Sequence, residues 1–85
     1  MEKSKQFLKS LVTQIVSNPS SVVIEEKNDE MGILLTLHVS VEDMGKVIGK
    51  NGETANAIRT LLRVCGSTEK ARVSVKIAEP EKTYL

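Results

Sequence analysis

The chain has 85 residues, 40% of them apolar and 27% charged, with a formal net charge of +1. That is one small domain with apolar residues enough for a single core, which excludes a disordered segment. No run approaches the ~18 apolar residues of a membrane span, and no apolar stretch or cleavage site follows Lys3 and Lys5, so no secretory leader is expected. The single cysteine, Cys65, and single histidine, His38, can build neither an internal disulfide nor a zinc site. The chain reads as cytoplasmic, with no metal and no cofactor.

Residues 4–17 carry Phe7, Leu8, Leu11, Val12, Ile15 and Val16 in one wide helical stripe that ends before Asn18-Pro19. Ser21 to Lys27 is β-branched and alternates weakly, and Asn28 to Gly32 supplies turn chemistry. Ile33, Leu35, Leu37 and Val39 then alternate with Leu34, Thr36 and His38, which predicts an antiparallel hairpin. Ser40 and Asp43 resemble a capping box that opens a short helix with Val41, Met44, Val47 and Ile48 on one face, stopped by Gly49. A further helix begins near Gly52, presents Ala55, Ile58, Leu61, Leu62 and Cys65 on one side, and closes at Gly66, with Ser67 to Lys70 as a loop. Val73, Val75 and Ile77 alternate with Arg72, Ser74 and Lys76 in the last strand. From Pro80 onward a polar tail is expected to fray.

The order is α-β-β-α-α-β. The second strand, the helix pair and the third strand make a crossover that should be right-handed, with its strands parallel. The expected fold class is therefore α+β, a three-stranded mixed sheet with helices on one face. One domain is expected over residues 1–85, with its core at about 4–78 and residues 79–85 as a flexible tail.

The most informative run is Val47-Ile48-Gly49-Lys50-Asn51-Gly52. Two glycines bracket a basic and a polar residue between two helices, so bare backbone and free amides can approach a phosphate chain. Charge is distributed to match. From Lys46 to Arg72 six basic residues stand against two acidic ones, a local +4, whereas Glu25 to Glu30 sums to −3. A Walker A loop is excluded, because three residues separate Gly45 from Gly49 where four are needed, and Asn51 stands where Ser or Thr should bind magnesium. His38 is out of phase with Leu35 and Leu37, which suits an exposed strand position. Cys65 lies on the apolar side of its helix as a small core residue. Glu42-Asp43 suits a helix N-terminus, and Glu25-Glu26 a strand end. Nothing assembles an active site, and no enzyme is expected.

With the preceding Val-Ile, Ile58 six residues after the second glycine, and this element order, the loop Gly49-Lys50-Asn51-Gly52 resembles that of a type II K-homology (KH) domain over nearly the whole chain. In size the chain is similar to the small bacterial stand-alone KH proteins of the KhpA type. The resemblance implies a GXXG loop clamping about four nucleotides of single-stranded RNA backbone. It also implies low sequence specificity, a role in post-transcriptional regulation, and action as a homodimer or with a larger, Jag-type KH partner. By the same resemblance Gly49 and Gly52 permit close approach, and Lys50 and Asn51 face phosphate or ribose. Lys46 extends the cationic edge, while Val47, Ile48, Ala55 and Ile58 floor a groove. Arg59 points to the groove rim or to solvent. With no aromatic ring available on the strands, an RRM or OB-type stacking surface is disfavoured.

Two other readings stay open. One is a protein-interaction adaptor whose KH fold mainly dimerises, suggested by the wide stripe of the first helix (Leu8, Leu11, Val12, Ile15) and the apolar side of residues 55–65. The other is a single-stranded DNA binder, since nothing in the sequence assigns a reader of the 2′-hydroxyl.

Overall fold

A computed structural model describes residues 3–68 and 72–78. Helix α1 spans Lys3–Thr13, strand β1 Val23–Asp29, strand β2 Gly32–His38, helix α2 Met44–Ile48, helix α3 Glu53–Thr68 and strand β3 Val73–Ile77. Short 3₁₀ turns at Pro19–Ser21, Val41–Asp43 and Lys50–Gly52 link them. The expected element order is observed. β2 is central, antiparallel to β1 and parallel to β3. The tail expected to fray, and the part of the loop before β3 at residues 69–71, fall outside the described residues.

Alternation decides which sheet face is covered. Ile24, Leu35, Leu37, Val73 and Val75 point to the helices and join Leu8, Val12, Val47, Ile58 and Leu62 in one core. The opposite face is polar, and there His38 lies 2.5 Å from Glu25 across the hairpin. No helix among the described residues is long and apolar enough to cross a membrane.

Three local expectations need correction. The first helix stops at Thr13, although the stripe runs on to Val16. Val16 still reaches the core, through a turn in which its N–H and that of Ile15 both donate to Val12 O. The chain cannot continue helically because the proline after Asn18 disfavours helical backbone there. It also cannot because the amides of Ser17 and Asn18 donate to the Asp43 carboxylate at 2.9 and 3.0 Å.

Ser40 and Asp43 form no capping box. The Ser40 hydroxyl instead donates to Asp43 Oδ2 at 3.0 Å, and Asn18 Nδ2 reaches both side chains. Asp43 is thus a fully buried carboxylate that ties the end of α1 to the start of α2. Hydrogen bonding from the Ser17 amide, opposed by burial and supported by Asn18 and Ser40, holds its pKa below the usual carboxylate value. Finally, Gly66 does not end its helix; it is buried within α3, which runs on to Thr68.

Candidate nucleic-acid interface

Helix α2 is only one and a half turns long, and it ends because Gly49 leaves helical backbone at φ 76°, ψ 174°. Its N–H closes the last turn on Gly45 O at 2.8 Å, and Gly52 N–H returns to Gly49 O at 3.2 Å. Between them Asn51 adopts left-handed backbone at φ 56°, ψ 24°, a region that Asn tolerates better than most side chains. The two glycines differ in what they admit. A Cβ on Gly49 would lie 2.8 Å from the Thr54 amide nitrogen, so this glycine is required by packing inside the loop. A Cβ on Gly52 would meet open space, so this is the glycine whose bare face a ligand can approach. Among the described residues the amides of Lys50 and Asn51 make no hydrogen bond, and both side chains are exposed.

Beside the loop lies a groove of about 360 Å³ lined by Met44, Ile48, Asn51, Gly52, Ala55, Asn56, Arg59 and Ile77. Met44, Ile48, Ala55 and Ile77 make an apolar floor; the two asparagines and Arg59 make a polar rim. Among the described residues no carboxylate lines it. Arg59 reaches across the groove, and its Nε donates to the Val75 carbonyl on β3 at 3.3 Å. Its Nε–H is thus turned to the sheet edge, on a residue that remains exposed at the groove rim.

The structure brings together Ile48, Gly49, Lys50, Asn51, Gly52, Ala55 and Arg59, but it separates three other residues from them. Val47 and Ile58 lie in the core, with at most 2% of their surface exposed. They support the groove from behind and cannot floor it, because α2 and α3 turn those positions toward the sheet. Lys46 points away from the groove. Its ammonium contacts the Ser17 hydroxyl and lies 3.8 Å from Asp43 Oδ1, so its charge is partly spent on the α1–α2 joint. Met44, Asn56 and Ile77 were not anticipated. Ile77 was in principle accessible, since parallel pairing of β2 with β3 places the end of β3 beside the start of α3. The face of α2 that Met44 would share was expected, but with Val41, which is 70% exposed and takes no part.

A family model for the KhpA/KhpB KH domain matches residues 5–77. The chain is 43% identical over 72 residues to the RNA-binding protein KhpA of Caldanaerobacter subterraneus, covering 85% of this chain and 96% of that protein. It is 44% identical over 73 residues to the protein of the same name from Clostridium acetobutylicum, covering 86% and 97%. It is 39% identical over 75 residues to that of Listeria monocytogenes, covering 88% and 99%. Among solved structures it is similar in fold to a crystal structure of Era from Aquifex aeolicus, with a TM-score of 0.59 and 15% identity, covering 87% of this chain and 29% of that one. With the glycine loop seated between α2 and α3 and the match running through almost every element, the chain belongs to the KhpA/KhpB KH-domain family.

Proposed function

We propose that this chain binds single-stranded RNA in the cytoplasm, laying the strand's phosphates on the Gly49–Gly52 loop and its bases on the floor of Ile48, Ala55, Met44 and Ile77. The observation that carries this is the pair of amides at Lys50 and Asn51, unbonded among the described residues, beside an apolar groove that no described carboxylate lines. Amides and an ammonium recognise phosphate whatever the base, and aliphatic floor residues contact any base face. Base preference is therefore low, resting on Asn51, Asn56 and Arg59. The relatives carry the name RNA-binding protein, which supports RNA over DNA as the ligand. The role is one of binding, as the name of the relatives has it.

The test replaces Lys50 and Asn51 with aspartate and titrates labelled single-stranded RNA, and DNA of the same sequence, at two salt concentrations. Affinity for RNA should fall at least tenfold with the circular dichroism spectrum unchanged. The log–log salt slope should shrink by about 0.7, one phosphate contact on a single strand. Unchanged affinity in a folded variant removes the loop from the mechanism, and equal affinity for DNA removes RNA as the preferred ligand.

A second role is favoured by one observation. Leu61 and Val64 stand 44% and 59% exposed on α3, on the flank away from β3. We read that flank as the pairing surface for a second copy of the chain or a larger, Jag-type KH partner. Pairing two weak sites raises apparent affinity through effective concentration.

A further inference from the structure

We propose that the groove continues past Arg59 into a second phosphate-binding site, made by Arg63 of α3 and Arg72 at the head of β3, which grips the same strand at a point remote from the glycine loop. This rests on the RNA-binding reading above and adds to it a second point of attachment.

Asn56, Arg59, Arg63 and Ser67 follow one another at spacings of three, four and four residues, so they form a row along one flank of α3. β3 runs beside that row in the opposite sense. Its last residue, Ile77, lines the recess next to the loop, and its first residues line a larger recess of about 630 Å³ together with Arg59, Arg63 and Ser67. Arg59 lines both and stands between them, so the two recesses adjoin along the seam of α3 and β3.

Arg59, Arg63, Arg72, Ser67 and Ser74 line the larger recess, and among the described residues no carboxylate does; Arg72 and Ser74 also border the neighbouring recess that holds Asp29. Arg63 and Arg72 are exposed, and neither side chain has an ion pair or hydrogen bond among the described residues. They differ in this from Lys46, which is engaged by Asp43 and Ser17, and from Arg59, which is engaged by Val75. Arg72 is also held in place, because its carbonyl accepts the Ile33 N–H at 2.8 Å. Planar forks of this kind match phosphate oxygens two at a time.

The sheet edge suits a nucleic-acid strand as well. Among the described residues β3 pairs only with β2. The bonds from Ile33 N–H to Arg72 O and from Ala78 N–H to Leu37 O show that the even-numbered residues face β2. The backbone groups of Val73, Val75 and Ile77 therefore face away from β2, and among the described residues only the Val75 carbonyl is occupied there, by Arg59. They offer donors and acceptors to ribose and base edges between the two phosphate grips.

Gly52 and Arg63 are about 16 Å apart along the α3 axis at 1.5 Å per residue. A stacked strand rises about 3.4 Å per nucleotide. A dinucleotide on the loop therefore falls short of Arg63, and an octanucleotide passes it.

The experiment titrates the ¹⁵N-labelled full chain with a uridine dinucleotide and with a uridine octanucleotide, following backbone amides at two salt concentrations, for wild type, R63Q/R72Q and R63K/R72K. In the double glutamine variant, affinity for the octanucleotide should fall about tenfold. Its log–log salt slope should shrink by about 1.4, two phosphates at 0.7 each, while dinucleotide affinity stays at the wild-type value. The lysine variant should recover the slope. Amides of Val73 and Val75 should shift with the octanucleotide and not with the dinucleotide. An octanucleotide affinity and slope equal to wild type overturn the site, as does an equal loss for both probes. If the wild type shows no shift at Lys50 and Asn51 with either probe, the RNA-binding reading itself fails. If those shifts appear but R63Q/R72Q binds the octanucleotide with wild-type affinity and salt slope, only the second site fails.

Discussion

Helix α3 has two exposed flanks that share one buried row and little else. Ala55, Ile58, Leu62 and Gly66 face the core. On one side of them Arg59 and Arg63 turn toward the edge of β3. On the other, Leu61 and Val64 remain exposed and apolar. Successive helical positions rotate by about 100°, so one helix can present a cationic wall to a polyanion and an apolar surface to a protein without the two competing. A net charge of +1 hides this division completely.

The strongest challenge to that division is a change in the shared row. Leu62 is fully buried, so Leu62→Asp leaves a cavity and an unpaired carboxylate, at a cost of about 4 kcal/mol or more. The cooperative thermal transition should disappear, and RNA binding and self-association should vanish together. Persistent folding with only association lost would place Leu62 on the surface. It follows that a charge at Leu62 cannot probe the α3 interface, and the probe must move to Leu61 and Val64.

The paired glycines come next. Gly49→Ala forces a side chain into backbone that is almost exclusively glycine's and drives its Cβ against Thr54, at a cost of about 3 kcal/mol. Gly52→Ala meets no neighbour and should lose only about 1–2 kcal/mol for its left-handed backbone. Thermal melts should rank the two in that order. Gly52→Ala should also weaken RNA binding while folded, because its open face is where the strand approaches. Equal destabilisation would mean that Gly49 and Thr54 do not pack as described.

How much of this was legible in the sequence depended on the range of the forces involved. β3 was read from Val73, Val75 and Ile77 alone, since strand alternation is local and one face is buried. The glycine loop was located to the residue because its conformation excludes most other side chains. The end of α1 was not legible, because Ile15 and Val16 keep the apolar spacing while a carboxylate 25 residues away takes the amides of Ser17 and Asn18. For the same reason Asp43 looked like a helix cap, its local role, and not the joint between α1 and α2. Arg63 was visible as a charge. That it shares a recess with Arg72 depends on which flank of α3 meets β3, and only tertiary packing decides that.

The Asp43 joint predicts an effect confined to acid. Its folded pKa lies below the ordinary value of 3.8, so the unfolded chain takes up the proton first as pH falls. The stability it contributes is complete above that ordinary value and is lost as pH drops toward the folded pKa. Melting temperature measured from pH 6 down to pH 2 should fall more steeply for wild type than for Asp43→Asn, which has no such proton to gain. Parallel curves would show that the carboxylate is not what holds α1 to α2. Because Lys46 contacts this joint and not the groove, Lys46→Gln should leave the salt slope of RNA binding within about 0.2 of wild type.

The smallest effect on stability is the most direct test of the two flanks. Leu61→Asp and Val64→Asp alter exposed positions with no partner to lose, so each should change folding stability by no more than about 0.5 kcal/mol. Light scattering across a concentration series should nevertheless show self-association reduced, because an apolar contact surface does not accept an unpaired carboxylate. Affinity for an octanucleotide per folded chain, measured below the association range, should remain that of wild type, since Arg59 and Arg63 project from the other side. A variant that lost RNA affinity while keeping its association would show that the strand wraps over the apolar flank. The groove beside β3 would then be only part of the surface that holds it.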